Sequence, residues 1–281
     1  MIVVTGATGT IGRTLVPLLA EAGQDVVAVS RRPRPEGLAA GIRHAQADVG
    51  NGASMRPVLG GADAFFILLG GELNAHGESP DALLGAARDA GVGRIVLLSS
   101  QVGSTRPEAS SHARLREFEA AVRASGADFT ILRPGGFASN ALAWAEPVRA
   151  RRTISAPFGD VALPVVDPAD IAEVAAVALC EEGHAGRTYT LTGPEAIGPR
   201  RQAAVISQAL GEDIAFVELS RAQARAHMVR FMPEEVVDGT LDVLGAPLPA
   251  EQAISPDVRN LLGRPARPFG DWVARNLPAF R

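Results

Sequence analysis

The sequence contains no lysine: all 27 basic residues among its 281 are arginines. This absence excludes mechanisms that use a lysine as Schiff base, general base or phosphate ligand. Cysteine occurs once, which excludes a disulfide framework and a cysteine-rich metal site. That residue, Cys180, lies in an apolar helical pattern, where we predict a small buried core residue rather than a nucleophile.

The chain also lacks a basic surplus, long apolar segments and clustered histidines. Its net charge is −4, unlike that of most nucleic-acid-binding proteins. No apolar run approaches the roughly 18 residues of a membrane span, and Met1 leads into a predicted strand without room for a signal peptide. His44, His76, His184 and His227 have no metal-ligand spacing. We therefore predict a cytoplasmic protein without a metal ion, a nucleic-acid partner or a membrane anchor.

Short apolar segments alternate with helical patterns through the first half of the chain, an arrangement typical of βαβ units. The predicted strands are Ile2–Thr5, Asp25–Val29, Arg43–Ala47, Ala64–Leu69, Arg94–Leu98 and Phe129–Leu132. The predicted helices are Thr10–Ala22, Ser54–Leu59, Pro80–Ala90 and Ser111–Ala124. This order predicts an α/β fold with a doubly wound parallel sheet of the Rossmann kind.

The regular alternation ends after the segment Arg133-Pro134-Gly135-Gly136. The elements predicted downstream are a strand at Thr153–Ala156, a helix at Pro168–Cys180, a strand at Thr188–Thr192 that extends the sheet, a helix from Pro199 and a strand at Ala215–Leu219. The rest of the C-terminal part has a mostly helical pattern. We therefore divide the chain into a Rossmann domain, residues 1–195, and a small, mostly helical substrate-side lobe, residues 196–281, with a soft boundary.

A glycine-rich turn follows the first predicted strand and opens an amphipathic helix: Gly6-Ala7-Thr8-Gly9-Thr10-Ile11-Gly12. In this context Gly6 permits the tight turn, Gly9 lets the backbone approach a pyrophosphate, and Gly12 lets the helix pack closely. Free N–H groups and the positive end of the helix dipole then bind the phosphates. We predict an NAD(P) site here, with a structural turn lacking a ligand as the alternative. The residues assigned to it are Gly6, Thr8, Gly9, Thr10, Ile11 and Gly12.

The end of the second predicted strand favours NADP(H) over NAD(H). Sites that prefer NAD usually have an acidic residue here for the ribose 2′-hydroxyl, whereas arginine accommodates a 2′-phosphate. No acid stands between Asp25 and Glu36, and the strand ends in Ser30, Arg31 and Arg32. A pair of surface arginines without a ligand is the alternative interpretation.

Two further strand ends fit the same dinucleotide. Asp48 and Val49 follow the third predicted strand, where a carboxylate can accept from the adenine amino group or, equally, cap the next helix. Leu69, Gly70 and Gly71 follow the fourth strand, where small residues leave space for a ribose. We assign Asp48, Val49, Leu69 and Gly70 to the cofactor.

Together these motifs resemble the NmrA-like group of atypical short-chain dehydrogenase/reductases. The matching segments are Val4-Thr-Gly-Ala-Thr-Gly-Thr-Ile-Gly12, Val29-Ser-Arg-Arg32, Ile95-Val-Leu-Leu-Ser-Ser100, Leu132-Arg-Pro-Gly-Gly-Phe137 with Asn140, Val166-Asp-Pro-Ala-Asp-Ile-Ala172 and Leu262-Gly-Arg-Pro-Ala-Arg-Pro-Phe269. The resemblance spans nearly the whole chain. It implies that Ser99, Pro134 and Phe137 lie near the nicotinamide, with Phe137 as a wall of the nicotinamide or substrate pocket.

The chain departs from the wider family at the proton relay, a Tyr-x-x-x-Lys pair on the helix after the fifth strand. Here His112 and Arg116 stand at those positions, and the one tyrosine, Tyr189, lies in a late strand. The obvious donor for protonating a simple alkoxide is therefore missing. Because a conjugated acceptor delocalises its oxyanion, the weaker donors Ser100, Gln101 and His112, or solvent, would suffice. A solvent-facing helix position is the alternative for His112, and strand capping for Gln101.

The leading hypothesis is an NAD(P)H-dependent oxidoreductase that acts on a small, aromatic, quinone or conjugated carbonyl compound. The alternative is a non-catalytic NAD(P)-binding redox sensor that binds a protein partner, as NmrA-like regulators do. A tailoring role in secondary metabolism and a homodimer are further expectations. Trp144, Phe158, Phe231 and Met232 are candidates to line the substrate pocket, with core packing as the alternative.

Overall fold

A computed structural model describes residues 1–33, 38, 41–70 and 77–281. Gly71 and His76, named above, lie outside the described residues. The strands of the described chain are β1 (Ile2–Val4), β2 (Val26–Ser30), β3 (Arg43–Gln46), β4 (Ala64–Leu68), β5 (Arg94–Leu98), β6 (Asp128–Pro134), β7 (Thr153–Pro157), β8 (Arg187–Leu191) and β9 (Ala215–Leu219). The predicted strands are thus confirmed, with shifts of a residue or two at their ends.

No described helix lies between β2 and β3, but helices separate the other strands, as the alternating pattern predicted. They are α1 (Gly12–Glu21), α2 (Gly52–Leu59), α3 (Pro80–Asp89), α4 (Val102–Thr105), α5 (Ala113–Ala124), α6 (Ala145–Arg151), α7 (Pro168–Cys180), α8 (Pro199–Leu210), α9 (Arg221–Met228), α10 (Glu234–Gly245), α11 (Pro249–Gln252), α12 (Asp257–Leu262) and α13 (Phe269–Asn276). Short 3₁₀ turns occupy Ser110–His112, Ala138–Trp144 and Leu277–Phe280. Local signals fix several ends: Ser79 caps α3 ahead of a proline, and Gly211 ends α8 with a φ of 70°.

Seven strands form one sheet in the order β3-β2-β1-β4-β5-β6-β8. The pairings from β3 through β6 are all parallel, so their carboxyl ends share one edge. All five residues of β2 are buried, as expected for a strand covered on both faces. The strand order reverses between β1 and β4, which is where doubly wound sheets open a ligand crevice. The predicted Rossmann fold is confirmed.

The described chain packs as two compact units. The first unit comprises Met1–Pro107, His112–Pro134 and Ala169–Thr190, and the second comprises Glu108–Ser111, Gly135–Pro168 and Leu191–Arg281. This grouping differs from the contiguous boundary drawn at residue 195, because 135–168 packs with the C-terminal residues rather than with the sheet.

Each unit has a core of its own. In the first unit, the sheet residues Val3, Phe65 and Leu97 are fully buried beneath the flanking helices. In the second unit, mostly helical as predicted, the rings of Phe269 and Trp272 stack with centroids 5.6 Å apart. The second unit also contains a separate two-stranded parallel sheet, β7 with β9.

The prediction for Cys180 was wrong. This residue is exposed, because it is the last residue of α7, where the apolar run reaches the helix end. Partial burial nevertheless raises the pKa of the Cys180 thiol, so the thiol stays protonated at neutral pH. Among the described residues, no helix combines the length and the apolar character that crossing a bilayer requires.

Candidate functional site

The turn between β1 and α1 is built so that side chains would obstruct it. Gly6 has a φ of 65°, a left-handed conformation that favours glycine. A Cβ atom on Gly12 would overlap the carbonyl oxygen of Gly6 and lie 2.5 Å from Cα of Ala7. These are backbone atoms, so they cannot rotate away. The helix therefore starts against the turn, as predicted for this glycine pattern.

The same turn presents unpaired backbone donors. Gly9 donates its N–H to Gly6, whereas none of the described residues accepts a backbone hydrogen bond from the N–H groups of Thr10, Ile11 or Gly12. Gly9 and Thr10 are exposed at the tip. Three donors at the positive end of a ten-residue helix form a favourable site for a phosphate group. The geometry fits a pyrophosphate, whose oxygens accept only.

Thr5 holds this turn beside the neighbouring strand. Its buried hydroxyl donates to the carbonyl oxygen of Phe66 at 3.0 Å and accepts from the N–H of Leu68 at 2.9 Å. The methyl groups of Leu68 in turn lie against Gly6, where a Cβ would meet one of them at 3.0 Å. Thr5 thus joins the carboxyl ends of β1 and β4 beneath the turn. Sequence analysis missed this role, although a polar residue ending a buried strand was a signal for it.

The end of β2 carries two exposed arginines, Arg31 and Arg32. Neither guanidinium has an ion pair or a hydrogen bond with any described residue. Ser30, just before them, is buried, and its hydroxyl donates to the carbonyl oxygen of Arg32 at 2.9 Å. The pair therefore places two positively charged side chains at the edge of the sheet where the glycine turn lies. The Ser30 side chain instead holds the backbone of the loop through its hydrogen bond to Arg32.

Asp48 lies two residues after the end of β3, and one of its carboxylate oxygens accepts from the N–H of Gly50 at 2.9 Å. The helix cap considered for it belongs to Asn51, which accepts from the N–H of Ser54 at 2.9 Å and begins α2. Asp48 therefore stabilises the turn that leads into the helix. Of the other assigned residues, Val49 and Gly70 are half-buried and Leu69 is buried.

A buried carboxylate that sequence analysis missed, Glu119 of α5, joins two neighbouring strand ends. It accepts from the hydroxyl of Ser99, after β5, at 2.6 Å and from Nε of Arg133, in β6, at 2.9 Å. Arg133 pairs with it through two nitrogens, a fork geometry that fixes orientation. Because the hydrogen of the Ser99 hydroxyl is donated to Glu119, this hydroxyl could only accept a hydrogen bond from a cofactor.

The surroundings of Glu119 act on its pKa in both directions. Burial raises the pKa of this carboxyl, but hydrogen bonds from Arg133 and Ser99, with the charges of Arg133 and Arg123, more than offset that effect. The net pKa lies below the ordinary value of 4.5, so the group is ionised at neutral pH. A carboxylate with a depressed pKa stabilises the folded state above its unfolded pKa, and this contribution disappears as the pH falls through the folded pKa.

We expect Glu119→Gln to lower the free energy of unfolding by about 2–4 kcal/mol at neutral pH, because it leaves Arg133 without its counter-charge. Urea unfolding followed by circular dichroism measures this change. The deficit should shrink as the pH falls below about 4. Glu117→Gln is the matched control: this exposed neighbour lies 3.4 Å from Arg114, and its loss should cost less than about 0.5 kcal/mol. Equal effects of the two variants would contradict a structural role for Glu119.

The three candidate proton donors lie around the end of β5 and the start of α5. Gln101 is buried, and its backbone N–H donates to the carbonyl oxygen of Pro134 at 3.0 Å. Ser100 is half-buried, and its hydroxyl accepts from the N–H of Val102 at 3.3 Å. His112 ends the 3₁₀ turn before α5 and is half-buried. Helix α4, which follows Gln101, packs on α5.

His112 carries little positive charge in this environment. Burial lowers its pKa, and the positive charge of Arg116 lowers it further. The imidazole is therefore mostly neutral at neutral pH, because its pKa lies below the ordinary value of 6.5. Tyr189 of β8 is hydrogen-bonded to Nδ1 of His184 at 2.9 Å. Within the part of the chain that the structure describes, no group of three or more histidine, cysteine or acidic residues is placed to bind a metal.

The candidate pocket residues of the second unit have different surroundings. Phe158 packs in a small apolar cluster and adopts a φ of 54°, unusual for a bulky residue. Trp144 packs against the main core of this unit, whereas Phe231 is 75% exposed and Met232 is 36% exposed. Phe137, predicted as a pocket wall, is half-buried and forms an isolated β-bridge with Val166. Core packing therefore accounts for Trp144 and Phe158, but not for the exposed pair.

Comparison with known families yields a match to the family described as NAD(P)H-binding, over residues 6–182. This segment begins at the first glycine of the turn. It covers the helices and strands from α1 to α7, whereas β1 lies just before it.

Curated relatives match along the whole length. The chain is 38% identical to the (4-alkanoyl-5-oxo-2,5-dihydrofuran-3-yl)methyl phosphate reductase of Streptomyces griseus subsp. griseus, over 100% of this chain and 99% of that protein. It is 32% identical to an NAD(P)H azoreductase of Xenophilus azovorans, with the same coverage.

A solved structure shares the fold along the whole chain. The NADPH-dependent quinone oxidoreductase of Escherichia coli, crystallised with NADPH, superposes with a TM-score of 0.83 at 28% identity. The alignment covers 98% of this chain and 99% of that one. Both the sheet and the helical C-terminal part therefore have counterparts in that structure.

Proposed function

The chain belongs to the NAD(P)H-binding family, and we propose that this oxidoreductase uses NADPH to reduce conjugated carbonyl compounds, including quinones and acylated dihydrofuranones. Two observations taken together support the proposal. The described chain has an open phosphate-binding turn, but His112 and Arg116 stand where the wider family has its proton-relay pair. Such a site suits acceptors that need little help from an acid.

The chemistry of the acceptor explains why a strong acid is unnecessary. The name of the Streptomyces griseus relative's substrate describes a ring C=C bond conjugated to both a ring carbonyl and an alkanoyl carbonyl. When bound, reduced nicotinamide supplies a hydride. Addition of hydride at the ring carbon remote from both carbonyls moves the C=C electron pair onto their oxygens. The resulting enolate is shared by two carbonyl groups and is weakly basic, so protonation can come from a weak donor or from solvent.

The residues of the first unit would divide the work between binding and proton supply. The N–H groups of Thr10, Ile11 and Gly12 would bind the pyrophosphate, and Arg31 and Arg32 would bind the 2′-phosphate that distinguishes NADPH from NADH. Ser100, Gln101 and His112 would act as neutral hydrogen-bond donors to the developing oxyanion. What supports these roles is the position of the three residues, after β5 and before α5. No shifted pKa supports them.

His112→Ala should lower kcat with a conjugated acceptor by less than about tenfold, because a neutral imidazole contributes only one weak hydrogen bond. Steady-state assays with NADPH and menadione measure this change. Ala113→Gly, a neighbouring change at the first position of α5, controls for disturbance of the helix start. A loss of about 1,000-fold or more in His112→Ala alone would mean that His112 is the principal acid and that the mechanism is wrong.

The proposed function is tested by NADPH oxidation with a panel of acceptors. We expect the purified protein to oxidise NADPH with a quinone and with a 3-acyl-2(5H)-furanone, and to leave cyclohexanone unreduced because its alkoxide needs a stronger acid. Reduction of cyclohexanone at a comparable rate would contradict the acceptor class. Binding of NADPH without oxidation by any acceptor would instead indicate the non-catalytic redox sensor.

A further inference from the structure

Two side chains of β3 hold the backbone of the Arg31–Arg32 pair. The amide nitrogen Nε2 of Gln46 donates to the carbonyl oxygen of Arg31 at 3.1 Å. Nε2 of His44 lies 2.9 Å from the hydroxyl of Ser30, which itself donates to the carbonyl oxygen of Arg32 at 2.9 Å. Both carbonyl groups of the pair are therefore tied to β3, one directly and one through Ser30.

The strand pairing explains how two residues of one strand reach the same turn. In the parallel register Ser30 lies opposite Gln46, and Ala28 lies opposite His44. Positions two apart in a strand share a face, so His44 and Gln46 point to the same side of β3. Since β2 ends at Ser30, their side chains extend to the loop that follows, where the two arginines stand.

The acceptor at one end also determines which group donates in each of the two hydrogen bonds that link His44, Ser30 and Arg32. A carbonyl oxygen can only accept, so the hydroxyl hydrogen of Ser30 is used by Arg32. The hydroxyl oxygen must then accept from His44, which requires a hydrogen on Nε2 of the imidazole. The arrangement is thus a donor relay from β3 to the Arg32 carbonyl, and a residue at position 44 without a donor would break it.

We propose that His44 and Gln46 are positioning residues for recognition of the 2′-phosphate of NADPH; this inference rests on the proposed role of Arg31 and Arg32. Neither side chain needs to touch the cofactor. By fixing the two peptide units, they present both guanidinium groups to one phosphate before it binds. An arginine fork matches a phosphate only in a narrow range of orientations, so a loose backbone at this loop weakens NADPH binding and leaves NADH binding unaffected.

The test compares KM and kcat for NADPH and NADH in His44→Leu and Gln46→Leu, with the same quinone acceptor. Each variant removes a donor and keeps comparable volume. We expect KM for NADPH to rise about three- to tenfold, the effect of losing one hydrogen bond, while KM for NADH and both kcat values change less than about twofold. His44→Gln, which keeps a donor nitrogen, should restore most of the NADPH affinity. Gln208→Leu makes the same substitution at an exposed position of α8 and serves as the control.

The outcomes separate this inference from the cofactor preference on which it rests. If Arg31→Ala/Arg32→Ala leaves the ratio of KM values for NADPH and NADH unchanged, the proposed preference for NADPH is wrong. If that double variant shifts the ratio but His44→Leu and Gln46→Leu do not, the arginines bind the 2′-phosphate without help from β3 and the inference is overturned. Parallel rises of both KM values would also overturn it, because they indicate general damage. Gln46 is exposed, so its variant tests the inference even if His44→Leu is unstable.

Discussion

Gly12→Ala should raise the Kd for NADPH by about 100-fold or more, the largest effect we expect from a single methyl group. The added Cβ would lie 2.5 Å from Cα and 2.7 Å from the carbonyl carbon of Ala7, and it would also overlap the carbonyl oxygen of Gly6. Since every one of these atoms belongs to the backbone, α1 and the turn must move apart. A displacement of about 1 Å is enough to misplace donors that act on a bound ligand. Fluorescence titration with NADPH measures the change in Kd.

The control for Gly12→Ala is Gly85→Ala. Gly85 lies in the middle of α3, and beyond the backbone of its own helix its Cβ would have no heavy atom of the described residues within 4 Å. This variant should bind NADPH as the parent does and gain about 0.5–1 kcal/mol of stability from its better helix propensity. A thermal melt by circular dichroism separates loss of binding from loss of fold. Unchanged NADPH affinity in Gly12→Ala would mean that the turn does not hold the cofactor.

The second large effect is a change of cofactor preference. We expect Arg31→Ala/Arg32→Ala to raise KM for NADPH by about 100-fold or more and KM for NADH by less than about threefold. Each guanidinium would make a charge-assisted hydrogen bond to the 2′-phosphate worth about 1.5–3 kcal/mol, and NADH offers no such group. Both side chains are exposed and make no ion pair with a described residue, so their removal should barely alter stability.

Arg43→Ala is the matched control for the arginine pair. Arg43 begins β3 and pairs with Asp25 at 2.5 Å, near the opposite end of the same strands. Both partners are more than half exposed, so the pair contributes little to stability. The control removes a positive charge without touching the β2 end. Equal rises in KM for NADPH in both variants would show that general electrostatic attraction, not a 2′-phosphate site, sets the affinity.

The fold could be read from the sequence to a large extent because its signals are local. The central strands β1, β2, β4 and β5 are short, mostly apolar runs, and β9 was predicted with its observed ends, Ala215–Leu219. The glycine spacing likewise located the turn before α1, since Gly6 and Gly12 are required by backbone geometry alone. Local patterns of this kind fix element type and order.

What the sequence could not provide depends on contacts between distant segments. Residues 135–168 pack with the C-terminal part, although residues 169–190 lie between them in sequence, and no local pattern marks that association. Cys180 illustrates an error that also arises from contacts the local pattern does not show. An apolar helical run indicates that most of its residues are buried, but it does not show where the protein surface meets the helix end.

The site was predicted where it follows motifs and missed where it depends on buried polar contacts. Glu119 is separated by 20 residues from Ser99 and by 14 from Arg133, so its partners could not be inferred. One signal was available: Glu119 lies four residues after Leu115 and three before Val122, on the apolar face of α5. An acid on such a face is usually paired, which is what the structure shows.

The central claim is that the N–H groups at the start of α1 bind the pyrophosphate of NADPH. Amide NMR of isotope-labelled protein tests it most directly, because Thr10, Ile11 and Gly12 are observed one by one during a titration. The account predicts saturable shifts of these three amide signals with NADPH and with NADH, at a common Kd for each nucleotide. Saturation by NADPH with no change in any of the three signals would contradict it.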